Sequence, residues 1–450
     1  MSKVKNSRQA AAAMLSAIER GKTLDEAGDR LKGLSPRDAA FARASVLTAL
    51  RHRRQIEAIM ADYIKKQIPR RPHMAHAVLQ IGITQLCFMD VPPHAAINET
   101  VSALGKPEKP YRGLINAVLR RLTREPPEMM LLPRDNLPHW LSANWDEAYG
   151  ETRTDAMAMQ LTMTPPLDLS FKSAELADQW LSEHGKAFDA DTMMSGHIRL
   201  NEAGSITSLP NFKQGDWWVQ DLAARLPADL LLTRVTNNSN NQVNQQDTAE
   251  DQNNQSGSLL DLCAAPGGKT MQLAATNHSI TALDISASRL KRLRENLHRC
   301  NLKAELIEAD LLEWAPDKQW DGVLLDAPCS ATGTLRRHPD IALRRKASGI
   351  EERAALQATL LERAWQLTAK GGYLVYCVCS LEPQEGENIA HAFSNGPLAS
   401  EAVIDPVLPH ELPDCLHASI TKEGWVRTRP DMLADQGGMD GFFVARWHKK

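Results

Sequence analysis

The sequence predicts an α/β protein in which a helix-wrapped parallel sheet follows an all-helical domain and a small α+β segment. Two observations carry that expectation. Amphipathic helical spacing fills the first 125 residues, and beyond residue 256 short apolar runs alternate with helical segments. The length of 450 residues adds a bound, since one ordinary core rarely serves so long a chain.

Residues 7 to 20 read as a helix capped by Ser7 and stopped by Gly21, with Met14, Leu15 and Ile18 at helical spacing. Similar patterns recur up to Leu122, and Pro36, Pro72 and Pro92-Pro93 stand near helix starts, where a missing N–H is tolerated. Residues 1–125 are therefore predicted to form an all-helical domain. Residues 1 to 140 hold 23 Lys+Arg against 13 Asp+Glu, which puts this part at +10 and the remainder at −13. Such asymmetry suits a polyanion partner, through Arg51-His52-Arg53-Arg54, Lys65-Lys66, Arg70-Arg71 and Arg120-Arg121, although a solvated basic surface reads the same.

Pro126-Pro127 and Pro133 mark a linker, and residues 126–215 read as that linker with a small α+β subdomain, including a strand at Leu167 to Phe171. Residues 216–450 are assigned to a third, α/β domain. Within it, residues 236–256 hold twelve Asn or Gln in 21 positions and are predicted to be a disordered insertion, because so few apolar groups cannot offset ordering entropy. Strands are then predicted at Leu259 to Leu262, Ile280 to Leu283, Glu305 to Ile307, Gly322 to Leu325 and Tyr373 to Tyr376.

Several function classes drop out. No run of about 18 apolar residues is present, so a membrane-spanning helix is not expected. The start lacks a secretory core, which points to the cytoplasm. Seven cysteines without a CxxC pair argue against a zinc site or a disulfide framework, so no metal is expected.

The first strand of the α/β domain runs into Cys263-Ala264-Ala265-Pro266-Gly267-Gly268-Lys269-Thr270. Small residues let the backbone turn sharply against a ligand at the carboxyl end of the sheet, yet the spacing is neither the dinucleotide nor the Walker pattern. The second strand ends in Asp284, placed to accept ribose hydroxyls, and the third is followed by Asp310, near an adenine edge. Together they suit an adenosyl ligand without phosphates. The fourth strand ends in Asp326-Ala327-Pro328-Cys329-Ser330 and the fifth in Cys379-Ser380, so two thiols face the same cleft. Carbon C5 of cytosine is a poor nucleophile, and thiolate addition at C6 activates it. Two cysteines and an aspartate fit that chemistry.

Asp261 to Thr270, Asp326-Ala327-Pro328-Cys329-Ser330, Arg336-Arg337-His338-Pro339-Asp340 and Cys379-Ser380 resemble the bacterial RsmB (Fmu/Sun) family of RNA cytosine-C5 methyltransferases. Val91 to Glu99 and Asn116 to Arg121 resemble that family's NusB-like RNA-binding domain. The resemblance covers nearly the whole chain apart from the Asn/Gln segment. It implies a Rossmann-like methyltransferase domain that binds S-adenosylmethionine through Cys263, Ala264, Ala265, Pro266, Gly267, Gly268, Lys269, Asp284, Asp310 and Asp326. It also implies that Asp326 lies near the target base, that Cys379 is the nucleophile and that Cys329 helps release product. The implied partner is 16S rRNA, and, apart from the resemblance, a monomer is expected. Transfer RNA as substrate, or a non-catalytic RNA-binding assembly factor, are the alternatives. One departure stands out: the family commonly has Thr before the nucleophile and a small residue before that, where this chain has Cys377-Val378-Cys379. Residues two apart on a strand share a face, so Cys377 is either near the cleft or a buried small side chain.

Overall fold

The computed structural model describes residues 6–64, 68, 74–128, 131–243 and 257–450. The chain divides into two compact units: residues 1–164 with 335–346, and residues 165–334 with 347–450.

The first unit is helical. Helix α1 (Ser7–Glu19) is capped by Asn6, whose side chain accepts from the Gln9 N–H. The predicted cap, Ser7, is instead the first helical residue, because the Asx side chain one position earlier reaches the same orphan donors. Gly21 follows with φ +95, the left-handed conformation expected past a helix end. After α2 (Leu24–Ala27) come α3 (Pro36–Arg51), α4 (Arg53–Tyr63), α5 (Ala75–Cys87), α6 (Pro93–Ser102) and α7 (Arg112–Arg124). Pro36 and Pro93 open their helices as predicted, while Pro72, Lys65-Lys66 and Arg70-Arg71 lie outside the described residues. Leu15, Ile18, Val46, Ile59, Leu79 and Leu119 join one core.

Helices α8 (His139–Tyr149) and α9 (Glu151–Thr162) also belong to this compact unit, which moves its edge out to residue 164, past the predicted helical domain 1–125. Polar stitching explains the shift. Asn136 accepts from the N–H groups of Arg54 and Gln55, Gln55 donates to the Leu131 carbonyl, and Arg134 bridges Asp146 and Asp155.

The second unit begins with a four-stranded antiparallel sheet made from β1 (Leu167–Phe171), helix α10 (Ala174–His184), β2 (Ala190–Met194), β3 (His197–Leu200) and β4 (Trp217–Val219), in the order β2-β3-β1-β4. Leu169, Phe171, Ile198 and Trp217 pack against Trp180 of α10 on one face. On the other, buried Arg199 grips the Asp168 carboxylate opposite it and donates to the carbonyls of Gln436 and Gly438.

Helix α11 (Leu222–Val243) extends into the Asn/Gln segment, so residues 236–243 are helical where disorder was expected, and residues 244–256 lie outside the described residues. Asn and Gln are tolerated once Leu230, Leu231 and Val235 have nucleated a packed helix, since propagation needs little from each added residue.

The main sheet contains β5 (Ser258–Leu262), β6 (Ser279–Asp284), β7 (Glu305–Glu308), β8 (Trp320–Asp326) and β9 (Thr368–Val378), all in parallel pairs, with helices α12 (Gly268–Ala274) and α13 (Ala287–Arg299) in the crossovers. The path continues beyond Thr334 into the first unit, where α14 (Ile341–Arg344) lies. There the Arg336 carbonyl accepts from Arg51 and Asp340 accepts from the Leu24 N–H. The chain then returns through α15 (Ser348–Leu367) to β9, followed by α16 (Glu387–Ser394), β10 (Ala402–Ile404), β11 (Val426–Arg427) and β12 (Phe443–Lys449).

Strand order is β10-β12-β9-β8-β5-β6-β7, with β12 antiparallel between β9 and β10. The sheet is therefore mixed rather than wholly parallel, because β12 returns beside β9 without a helical crossover. Winding reverses between β5 and β8, and ligands of such sheets sit outside the carboxyl ends at that point. No helix among the described residues is long and apolar enough to cross a membrane.

Strand β12 is anchored by Arg446, fully buried, which makes a two-pronged contact with the equally buried Glu411 at 2.9 and 3.1 Å and also meets Asp405. Truncating Arg446 leaves Glu411 with the longer contact to Arg234 at 3.3 Å in place of a two-pronged one. Arg446→Ala is expected to destabilise the protein by about 3–5 kcal/mol in guanidinium unfolding, whereas Arg446→Met with Glu411→Leu loses roughly half as much or less.

Candidate active site

Register across β8 and β9 builds the site. Asp326 pairs with Cys377, so the loop leaving β8 and the loop leaving β9 run side by side. The first carries Cys329 and the second Cys379, and their sulfurs lie 3.5 Å apart. Both are half-buried. The Gly333 N–H donates to the Cys379 carbonyl at 3.0 Å, and the Gly441 N–H donates to the Gly333 carbonyl at 2.9 Å. A Cβ at Gly333 would fall 1.9 Å from the Gly441 oxygen, so only glycine permits this backbone approach beside Cys379.

Cys377 shares a strand face with Val375 and packs in the core beneath α11. Its exposure is 0 %, and its sulfur meets Asp326 Oδ1 at 3.5 Å. Burial, helped by the Asp326 charge, pushes its thiol well above the ordinary range. It is thus a buried side chain that touches the acid from below.

Asp326 Oδ2 accepts from Lys269 Nζ at 2.8 Å. Burial alone would lower the Lys269 pKa, yet the Asp326 charge and hydrogen bond outweigh it and raise it, so Lys269 keeps its proton. Lys269 also lies over the Phe442 ring, 5.1 Å from its centroid. For Cys329, the hydrogen bond to Cys379 and burial both push the thiol well up. Cys329 therefore holds its proton at neutral pH, and its S–H rewards negative charge on Cys379.

The loop after β5 forms the other half. Cys263 has φ +59 and Gly267 φ +106, both in the left-handed region, and the Ala265–Pro266 peptide is cis. The Ala264 N–H donates to the Leu283 carbonyl, and the Ala265 N–H to Asp284 Oδ2, which lays the loop against the end of β6. Asp284 Oδ1 accepts from the Ser286 N–H and Oδ2 also meets Arg289 at 3.4 Å, which leaves Oδ1 the freer oxygen for a ribose hydroxyl. Asp310 follows β7 and accepts from the Leu312 N–H at 2.9 Å.

Each acid is trailed by a large exposed apolar residue, Ile285 at 66 % and Leu312 at 42 %. Such surface beside the ends of β6 and β7 suits an adenine, so the residues present fit an adenosyl group. Sequence reading missed this pair, because an isolated Ile or Leu carries no signal until the strand ends are aligned. Cys263 to Lys269, Asp284, Asp310 and Asp326 all reach the carboxyl edge of adjacent strands, as the sequence predicted.

A doubly wound sheet with this loop, these acids and a mixed edge defines an S-adenosylmethionine-dependent methyltransferase. Comparison with known proteins narrows the class. Residues 248–448 match the family described as 16S rRNA methyltransferase RsmB/F, and residues 5–124 match the NusB family. The chain is 34 % identical to Ribosomal RNA small subunit methyltransferase B of Pseudomonas putida, with 98 % of each chain covered. It is 35 % identical to the protein of that name from Pseudomonas syringae pv. tomato, covering 98 % of this chain and 96 % of the relative. The crystal structure of PH0851 shares the fold at TM-score 0.73 and 21 % identity, covering 98 % of this chain and 99 % of that one. The chain belongs to the RsmB family of 16S rRNA (cytosine-C5) methyltransferases.

Beneath the cofactor loop, Asp261 is fully buried, with Thr270 Oγ1 donating to Oδ2 at 2.5 Å and Oδ1 lacking a hydrogen-bond partner among the described residues. Burial raises its pKa to about 7. The folded chain thus binds this proton more tightly than the unfolded chain, and the contribution to stability is lost as pH rises from about 4 through about 7. Asp261→Asn is expected to remove that dependence, so that thermal unfolding shows the variant gaining on the parent between about pH 5 and about pH 8.

Proposed function

We propose that this chain methylates C5 of one cytosine in 16S rRNA through a transient bond between Cys379 and ring carbon C6. The observation that carries the reading is the pair of thiols 3.5 Å apart, beside an Asp326 carboxylate held by Lys269. The relatives are named for the small-subunit ribosomal RNA, which makes that RNA the expected partner. Every group the reaction uses comes from one chain, which favours a monomer, and the cytoplasm is where such RNA is found.

Bound S-adenosylmethionine supplies the methyl group to the activated C5. Cys263 to Lys269 cradle it, Asp284 takes its ribose hydroxyls, and Asp310, Ile285 and Leu312 meet its adenine. The Cys379 thiolate adds to C6, and the electrons of the C5–C6 double bond move onto the ring. As charge arrives at N3 the ring takes up a proton, which Lys269 gives through the Asp326 carboxyl, and Asp326 then accepts the N3–H bond.

Release needs the C5 proton to leave, so that the double bond re-forms and expels Cys379. While Cys379 is anionic, its charge keeps the proton on Cys329. Once Cys379 is a neutral thioether its share of that push is gone, while burial and the Glu385 and Asp326 charges remain, and Cys329 gives its proton to water and takes the one on C5.

Basic residues on the helical unit suit the phosphate backbone. Arg112, Arg120 and Arg124 are exposed on α7. Replacing Arg120 and Arg124 by Ala is expected to weaken RNA binding and to flatten the slope of log affinity against log salt by roughly 1 to 2.

The roles of the thiols separate in mutants. Cys379→Ala is expected to abolish methyl transfer and adduct formation, while Cys329→Ala forms a protein–RNA adduct that persists on denaturing gels with turnover lowered roughly 100-fold or more. Normal turnover in Cys379→Ala contradicts the assignment.

A further inference from the structure

A buried carboxylate ties together the two loops that carry the thiols. Glu385 closes the short turn Pro383–Glu385 that follows Cys379-Ser380, and it is fully buried. Its Oε1 accepts from the Ser330 N–H at 2.8 Å and from Gln357 Nε2 at 3.2 Å. Its Oε2 accepts from the Ser380 hydroxyl at 2.6 Å and from the Ser330 hydroxyl. The Tyr376 hydroxyl donates to the Glu385 carbonyl at 2.6 Å and fixes the turn from the other side.

Ser330 directly follows Cys329, and Ser380 directly follows Cys379. The two hydroxyl oxygens lie 2.9 Å apart on one carboxylate oxygen. Four donors from the β8 loop, the β9 loop and α15 thus converge on a group that, ionised, only accepts. Gln357 extends the arrangement, donating also to the carbonyl of Pro328, just before Cys329.

We propose that Glu385 is a positioning residue for methyl transfer, clamping Ser330 and Ser380 so that Cys329 stays within reach of Cys379. The proposal rests on the reading of the two thiols given above. Its effect is unequal on them. Cys379 is held independently by β9, which pairs with β12 up to Val378, and by the Gly333 N–H on its carbonyl. Cys329 lies in an irregular loop, and two of the loop's ties, at Pro328 and Ser330, run through Gln357 and Glu385. Loosening the clamp therefore displaces Cys329 first, which slows release while leaving addition to C6 largely intact.

Glu385→Gln puts a donor where two hydroxyls now donate, and it tests this in the full-length chain with S-adenosylmethionine and 16S rRNA. Adduct formation in a single turnover is expected to stay within roughly threefold of the parent while multiple turnover falls roughly tenfold or more, so that adduct accumulates. Ser330→Ala, which keeps the backbone bond to Glu385, is expected to move the same way by less, and it supplies the test if Glu385→Gln does not fold. Glu385→Asp is expected to recover part of the turnover. A purely structural role would lower addition and turnover in parallel, and that result, or an unchanged ratio of adduct to turnover in both variants, overturns the proposal. Cys329→Ala measured alongside separates the two ideas: if it accumulates adduct and the clamp variants do not, only the role of Glu385 falls, and if it does not, the two-thiol reading falls and takes the clamp with it.

Discussion

The parallel register that sets Asp326 opposite Cys377 decides where every reacting group stands. Side chains alternate along β9, so Leu374, Tyr376 and Val378 enter the core under α15 and α16, while Val375 and Cys377 enter the one under α11. Beyond Val378 the strand ends, and Cys379 stands half-buried at the rim of the second core, beside Cys329. A slip of one residue would exchange these faces and bury the reactive thiol. Burial on both faces of the sheet makes that slip costly, which is how hydrophobic packing comes to specify chemistry.

Around this register stand several sets of paired polar groups. Lys269 neutralises Asp326 at the cofactor end, Glu385 gathers the serines behind the thiols, and Arg446 with Glu411 secures β12 against β9. Each set satisfies most of its donors and acceptors internally, as groups removed from water must. Arg427 adds a further tie, donating to the Ser380 carbonyl and pairing with Glu387. The loops that carry the thiols are irregular in conformation yet fixed by these bonds.

Much of the catalytic unit was legible because parallel strands buried on both faces leave compact apolar runs, and Leu259 to Leu262, Ile280 to Leu283 and Gly322 to Leu325 stand out between helical segments. The glycine turn, the strand-end acids and the two Cys-Ser dipeptides followed from the same rhythm. Strands β10 and β11 escaped, having only three and two residues, and so did β12, whose partners lie far off in sequence. The boundary near residue 164 was hidden for another reason: Asn136 and Arg134 join α8 and α9 to the first unit through polar contacts that have no periodicity. Glu385 was visible only as part of a turn after Cys379, since nothing local shows that its acceptors meet Ser330, 55 residues away. The nearness of Cys377 to Asp326 needed the register itself.

The central claim is that Cys379, and neither of its neighbours, forms the bond to the base. An RNA substrate carrying 5-fluorocytidine at the target cannot lose a C5 proton after methyl transfer, so the thioether is held for analysis. Mass spectrometry of the digested complex is predicted to find the modified nucleotide on the peptide containing Cys377 and Cys379, with fragmentation placing it on Cys379. Attachment at Cys377 or at Cys329 would contradict the account.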